Sequence, residues 1–222
     1  MWSKQLKRRS IKLLRVGARD SPLSRKQVEE VFAALDCPYE PVWMKTYGDL
    51  NRGQSLRALE RSDFFTRELD IALRNGEVDV TVHSAKDLPD PLAEGLEMVA
   101  LTKGLDPADA LVLREGESLS PGMVIGTSST RREEMVAQLQ EDLIFADIRG
   151  SIRERLDGLY EHKVDGVVIA EAALIRLGLV HLNRIRLVGE TAPLQGRLAV
   201  LARSGDHEMK SFFAAVHYTQ TS

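Results

Sequence analysis

"MVIGTSSTRREEMVAQL" (123–139) holds a short apolar run, then a glycine, then hydroxyl residues, and finally a charged stretch with helix-forming composition. That order reads as a strand, a tight turn with N-capping side chains, and a helix. The unit recurs downstream. "LIFADI" (143–148) leads into "SIRERLDGLYEH" (151–162), and "GVVIA" (166–170) leads into "EAALIRLGL" (171–179). Ile152, Leu156, Leu159 and Tyr160 form the apolar stripe expected of the middle helix. Upstream the plan is the same. Strand "LLRVGA" (13–18) precedes helix "SPLSRKQVEEVFAAL" (21–35), in which Ser21 is the expected N-cap and Pro22 the first helical residue. Strand "YEPVWMKT" (39–46) follows. "FFTRELDIALRNGEVDV" (64–80) then reads as a helix with Phe65, Leu69, Ala72 and Leu73 on its buried stripe and Asn75-Gly76 as its stop. A further strand spans 79–83. Alternation of this kind predicts an α/β protein with parallel or mixed sheets covered by helices.

Two segments interrupt the pattern. "KGLDPADALVLREGESLSPG" (103–122) and "GETAPLQG" (189–196) are rich in turn-forming residues and read as crossings between lobes. Strand "RLAVLA" (197–202) and helix "EMKSFFAAV" (208–216) then return to the first lobe. The expected organisation is one lobe of residues 1–102 plus 196–222 and a second lobe of 103–195. Ligands bind such folds in the cleft, at strand C-termini and helix N-termini.

Bulk properties narrow the function. The chain has 222 residues, a formal net charge of −3 and a single cysteine, Cys37. A disulfide framework and a multi-cysteine metal site are excluded, and no metal site is expected. The slightly acidic balance argues against a nucleic-acid partner. No apolar run approaches the ~18 residues of a membrane span. The basic N-terminus "MWSKQLKRRSIKLLRVGAR" is too broken by charge for a signal peptide and reads as a solvated tail. A cytoplasmic monomer is expected.

The arginines fall at the ligand edge of this plan. Arg19 follows the first strand, Arg131 and Arg132 open a helix, Arg149 follows "FADI", Arg153 and Arg155 lie in the next helix, and Arg176 is on "AALIRLGL". A cation at a helix N-terminus opposes the macrodipole. An anionic ligand reverses that penalty, because guanidinium forks bind carboxylates bidentately. Thr127, Ser128 and Ser129 add hydroxyls there. Solvated surface arginines paired with acidic residues are the alternative. "VTVHSAKDLPD" (80–90) ends a strand on Lys86-Asp87, read alone as a turn-forming aspartate beside a solvated lysine.

"VGARDSPLSRKQ", "VHSAKDLP", "DPADAL", "IGTSSTRR", "DIRGSIRERL", "AALIRLGL" and "LQGRLAV" together resemble the porphobilinogen deaminase (hydroxymethylbilane synthase) family, in the same order and at similar spacing. The resemblance runs from about residue 13 to 201. It implies two lobes like those of type II periplasmic binding proteins and a transferase of haem (tetrapyrrole) biosynthesis. Such an enzyme condenses four porphobilinogen molecules head to tail on a dipyrromethane cofactor and releases ammonia. It implies Asp87 as the catalytic group and Lys86, Ser129, Arg131, Arg132 and Arg155 as cofactor-binding residues. Arg19, Ser21, Thr127, Arg149, Arg155 and Arg176 would hold the substrate or the growing chain.

The sequence also departs from the family pattern. The Gly-Gly-Cys loop of the family's third domain has no counterpart here, so a short form without that domain is expected. Its dipyrromethane would then be held noncovalently or by some other anchor. A noncatalytic pyrrole- or polycarboxylate-binding protein is the alternative. Ser62 stands near the family's lid lysine, with Arg57 or Arg61 as substitutes. Thr130, Ser151 and Leu201 replace the family's leucine, asparagine and glutamate, and Glu171 adds an anion near the carboxylate-binding strand end.

Overall fold

The structure, a computed structural model, describes residues 13–51 and 63–219. The basic stretch 1–12 and the candidate lid residues Arg57, Arg61 and Ser62 lie outside the described residues.

Among the described residues, ten strands form two five-stranded mixed sheets. The first sheet uses β1 (Leu14–Arg19), β2 (Tyr39–Met44), β3 (Val80–Ser84), β4 (Leu96–Leu101) and β10 (Leu198–Arg203), in the order β2-β1-β3-β10-β4. The second uses β5 (Asp109–Leu113), β6 (Val124–Gly126), β7 (Ile144–Ala146), β8 (Gly166–Ala170) and β9 (Arg184–Arg186), in the order β7-β6-β8-β5-β9. Helices α1 (Pro22–Leu35), α2 (Tyr47–Leu50), α3 (Arg67–Arg74) and α7 (His207–Phe213) accompany the first sheet. Helices α4 (Thr130–Ala137), α5 (Ile152–Tyr160) and α6 (Glu171–Arg176) accompany the second.

Each sheet is buried on both faces, as parallel strands with crossover helices require. Alternate residues of β10 show it. Val200 packs with Val16, Val82 and the α1 residues Val28, Val31 and Phe32, whereas Ala199 and Leu201 pack with Ala72 and Leu73 of α3. In the second sheet Ala110, Val112, Val167 and Ile169 face Leu156, Leu159 and Leu174. Leu111, Leu113 and Val168 face Met135 and Val136 of α4. Among the described residues, no helix is long and apolar enough to cross a membrane.

Several local expectations need correction. The segment 103–122 is not all connection, because β5 lies within it, fully buried between β8 and β9. All five of its residues pair with β8, and Ala110, Leu111 and Val112 also pair with β9, so the turn-rich flanks conceal a central strand. Phe64, not Phe65, is the aromatic buried at the start of α3, and Tyr160 is 50% exposed at the end of α5.

The two connections between the sheets run side by side. Thr102 N–H donates to the Leu198 carbonyl, Leu198 N–H donates to the Thr102 hydroxyl, and Leu105 N–H donates to the Gly196 carbonyl. Gly196 has φ +84°, and a Cβ there would meet the Leu105 carbonyl oxygen at 2.7 Å. Gly196→Ala therefore combines left-handed strain with a backbone clash. It should cost about 1–3 kcal/mol, read as a fall of several degrees in Tm.

Candidate active site

Strand direction explains which residues reach the cleft. β1, β2 and β3 are mutually parallel and end at Arg19, Met44 and Ser84. β10 is antiparallel to β3 with Leu198 opposite Ser84, so Gln195, just before β10, arrives at that same edge. In the second sheet β6, β7 and β8 end at Gly126, Ala146 and Ala170. β5 runs the other way, and its first residue, Asp109, stands opposite Ala170.

Asp87 closes the 3-10 turn Ala85–Asp87 that follows β3. Buried Ala85 anchors the turn through its N–H to the Arg197 carbonyl at 3.0 Å. Asp87 itself is exposed, and its carboxylate accepts no hydrogen bond among the described residues. It borders a cavity of about 60 Å³ shared with Arg19, Ser21, Gln27, Phe65 and His83. His83 is buried and bonded through Nε2 to the Thr81 hydroxyl at 2.9 Å. Burial and Arg19 push its pKa down to about 4, so the ring beside Asp87 is neutral at physiological pH.

Lys86 donates to Gln195 Oε1 at 3.0 Å. Burial and the positive charge of Arg132 push its pKa down to about 8, against the opposing charges of Asp87 and Asp109. Arg132, in the first turn of α4, donates to Asp109 Oδ1 at 2.6 Å. Beside it, Arg131 and Ser129 occupy the same helix start, with Ser129 as N-cap. The Nε atoms of Arg131 and Arg132 are buried without hydrogen-bond partners among the described residues.

Arg155 is the centre of the basic cluster. Its Nε donates to the Gly150 carbonyl at 3.0 Å. Burial, Arg132, Arg149 and Arg19 push its pKa down to about 10, and Asp87 opposes them. A guanidinium that loses basicity to three neighbouring guanidiniums sits in an excess of positive charge, which favours anions. Arg149 lies three residues beyond β7, with its Nη2 donating to the Gly48 carbonyl at 3.3 Å and its guanidinium 5.5 Å from the Phe64 ring centre.

Other sequence-predicted residues are already engaged. Arg19 pairs with Asp49 and lies 4.3 Å above the Phe65 ring. Burial opposes ionisation of Asp49, but Arg19 and Thr46 outweigh it and hold the carboxyl below the usual range. The Ser21 hydroxyl caps α1 by accepting from Ser24 N–H. Thr127 is fully buried, and its hydroxyl accepts from Ser129 N–H at 3.2 Å. Arg176 is set apart: its side chain is 5% exposed, paired with Glu30 of α1 and bonded to the Gly196 carbonyl. Glu171 does not enter the cleft as a free anion, because it is buried and paired with Arg184 at 2.9 Å.

Asp109 and Gln195 belong to the motifs "DPADAL" and "LQGRLAV", but their positions just inside or before antiparallel strands give them no place among parallel strand ends.

Residues 14–211 match the family model described as porphobilinogen deaminase, dipyromethane cofactor binding domain. The chain is 40% identical over 200 residues to a porphobilinogen deaminase of Caldicellulosiruptor saccharolyticus, covering 86% of this chain and 68% of that one. It is 38% identical over 214 residues to a probable porphobilinogen deaminase of Chlamydia pneumoniae, covering 92% and 90%. Among solved structures, the periplasmic VFT2 domain of Bordetella pertussis BvgS superposes with a TM-score of 0.51 at 12% identity, covering 94% of this chain and 88% of that one. That likeness speaks to the two-lobed periplasmic-binding-protein fold alone.

Proposed function

The chain belongs to the porphobilinogen deaminase family, and on that footing we propose how its residues carry out the reaction. It is a hydroxymethylbilane synthase-type transferase of tetrapyrrole biosynthesis that uses a dipyrromethane cofactor. The observation that carries the mechanistic reading is Asp87, a carboxylate that accepts no hydrogen bond among the described residues and borders an arginine cluster.

Porphobilinogen bears an acetate, a propionate and an aminomethyl group. Arg19, Arg149 and Arg155 receive its carboxylates, with Ser21 and Thr127 shaping the helix starts beside them. Asp87 accepts a hydrogen bond from the pyrrole N–H. As the C–N bond breaks, ammonia departs and positive charge spreads over the ring as an azafulvene cation, which the carboxylate stabilises. The same group assists proton transfer to the departing amine. It later takes the proton displaced from the pyrrole carbon that has formed the new C–C bond. Arg176 serves the elongating chain once that chain's carboxylates compete with Glu30 for it.

The unpartnered Nε atoms of Arg131 and Arg132 and the crowded charge at Arg155 fit a carboxylate-bearing cofactor. Lys86, Ser129, Arg131, Arg132 and Arg155 would hold it. When bound, the dipyrromethane supplies the free pyrrole carbon at which elongation starts. Of the described residues, 13–51, 63–102 and 196–219 make up the lobe carrying Asp87, and 103–195 the lobe carrying most of the arginines. The enzyme acts as a cytoplasmic monomer without nucleic acid.

Cys37 precedes β2, whereas the cleft lies beyond that strand's far end at Met44, a strand length of roughly 20 Å away. Its thiol donates to the Pro38 carbonyl. We therefore expect the 222-residue chain to hold its cofactor by charge. A native mass spectrum should carry the mass of dipyrromethane, and a denaturing spectrum should show the bare chain. An adduct that survives denaturation and disappears in Cys37→Ser would overturn this. Porphobilinogen consumption with stoichiometric ammonia release tests the activity itself, and its absence in the cofactor-loaded protein would sink the enzyme reading.

A further inference from the structure

We propose that Asp109 is a positioning residue of the cleft: its buried carboxylate fixes the Arg132 guanidinium and gives Lys86 a resident counter-charge. The proposal rests on reading the cleft as a polycarboxylate site.

The case begins with cost. Asp109 is fully buried at the start of β5, and among the described residues its Oδ1 pairs with Arg132 while its Oδ2 has no hydrogen-bond partner. Burying a carboxylate is expensive, and an apolar residue in its place is often neutral or stabilising. Fold stability alone therefore gives a poor account of an aspartate here.

The geometry supplies another reason. One short segment holds two cleft cations by two routes. Asp109 Oδ1 accepts from Arg132 at 2.6 Å, while the Pro107 carbonyl accepts from Gln195 Nε2 at 2.6 Å, and Gln195 Oε1 in turn accepts from Lys86 Nζ at 3.0 Å. Gln195 is itself buried, so the Lys86 contact is held from below. Lys86 comes from the β3 turn, Arg132 from the α4 start, and Gln195 from the connection before β10. The Pro107–Asp109 segment thus ties together the parts of the site that come from both sheets.

Charge points the same way. The charged groups facing Lys86 are Arg132 from α4, Arg155 from α5, Asp87 from its own turn and Asp109 from β5. Asp87 is committed to the substrate's pyrrole N–H in our reading, which leaves Asp109 as the permanent anion opposing two guanidiniums. Burial would raise the carboxyl's pKa, but Arg132, Lys86 and Gln195 outweigh it and hold Asp109 ionised. An ionised Asp109 keeps Lys86 protonated, and a protonated Lys86 binds carboxylates.

Asp109→Asn keeps the shape and removes the charge. The reactivity of Lys86 toward trace acetic anhydride, followed by peptide mass spectrometry across pH, reads its protonation directly. Without Asp109 the Lys86 titration should move down by about one pH unit. Labelling at pH 7, normalised to exposed Lys26, should then rise about fivefold. The alkaline limb of kcat/KM for porphobilinogen should move down with it, a shift that a purely structural role would not produce. An unmoved Lys86 titration overturns the proposal. Should the asparagine variant fail to fold, Asp109→Ser, smaller and equally uncharged, gives the same test: Lys86 should again titrate lower than in the wild-type protein, and an unmoved titration overturns the proposal as well. A wild-type protein that labels as expected but consumes no porphobilinogen would sink the catalytic reading and leave the Asp109 linkage standing.

Discussion

Asp87→Asn should lower porphobilinogen turnover about 10³-fold, equivalent to about 4 kcal/mol of transition-state stabilisation. The amide keeps the size and the hydrogen-bonding oxygen of the side chain, but it carries no charge to oppose the azafulvene cation and cannot accept a proton. Two features make the expectation sharp. Among the described residues the wild-type carboxylate makes no hydrogen bond that the fold would lose, so far-ultraviolet circular dichroism and Tm should be unchanged. Asp87 is also an anion beside a cluster of cations, so its removal should leave polycarboxylate binding intact or tighter. Ammonia release and calorimetric titration with porphobilinogen separate these effects. Turnover within tenfold of wild type, or loss of turnover accompanied by an equal loss of binding, would show that Asp87 does not do this chemistry.

The α/β architecture was legible because its signals are local. Ser21 and Pro22 mark the start of α1, and Ser21 does accept from Ser24 N–H. "GVVIA" is apolar throughout because β8 is buried on both faces, and every residue in it is buried. β5 was concealed for an equally physical reason. Its five residues sit between two turn-forming segments, and composition averaged over twenty positions hides a strand of five. At α3, the pair Phe64-Phe65 satisfies helical spacing in either phase. Packing beneath Tyr47 selects Phe64 for the interior, with ring centres 5.4 Å apart, and leaves Phe65 under Arg19.

For the site, the rule that ligands gather at strand C-termini and helix N-termini pointed to Arg19, Arg131, Arg132, Arg149 and Arg155, whereas Lys86 and Asp87 drew a role only from the family resemblance. The same rule was blind to Asp109 and Gln195. Both reach the cleft only because β5 and β10 run antiparallel to their neighbours, and strand direction is a tertiary fact that no local pattern encodes. Sequence position likewise gave no hint that Arg176 is occupied by Glu30, which is 146 residues away along the chain.

Arg155→Ala carries the second large effect, on binding. Arg155 is where the positive potentials of Arg132, Arg149 and Arg19 overlap. Its loss should weaken porphobilinogen binding about 10- to 100-fold, in line with about 1.5–3 kcal/mol for a charge-assisted hydrogen bond. Salt should narrow the difference. The potential that Arg155 adds is screened over about 10 Å at 0.1 M ionic strength, so wild-type affinity should fall with added salt more steeply than that of the variant. The pH dependence has a sign of its own. Lys86 binds carboxylates in its protonated form, so wild-type binding should weaken as pH rises through about 8. Arg155 is one of the cations that depress Lys86; without it Lys86 should titrate higher. The variant should therefore bind more weakly at neutral pH yet hold that weaker binding to higher pH. Arg155→Lys should restore the salt dependence but not the full affinity, because an ammonium supplies charge without the planar fork. Affinity in Arg155→Ala that is unchanged and insensitive to salt would show that the basic cluster does not bind the substrate's carboxylates.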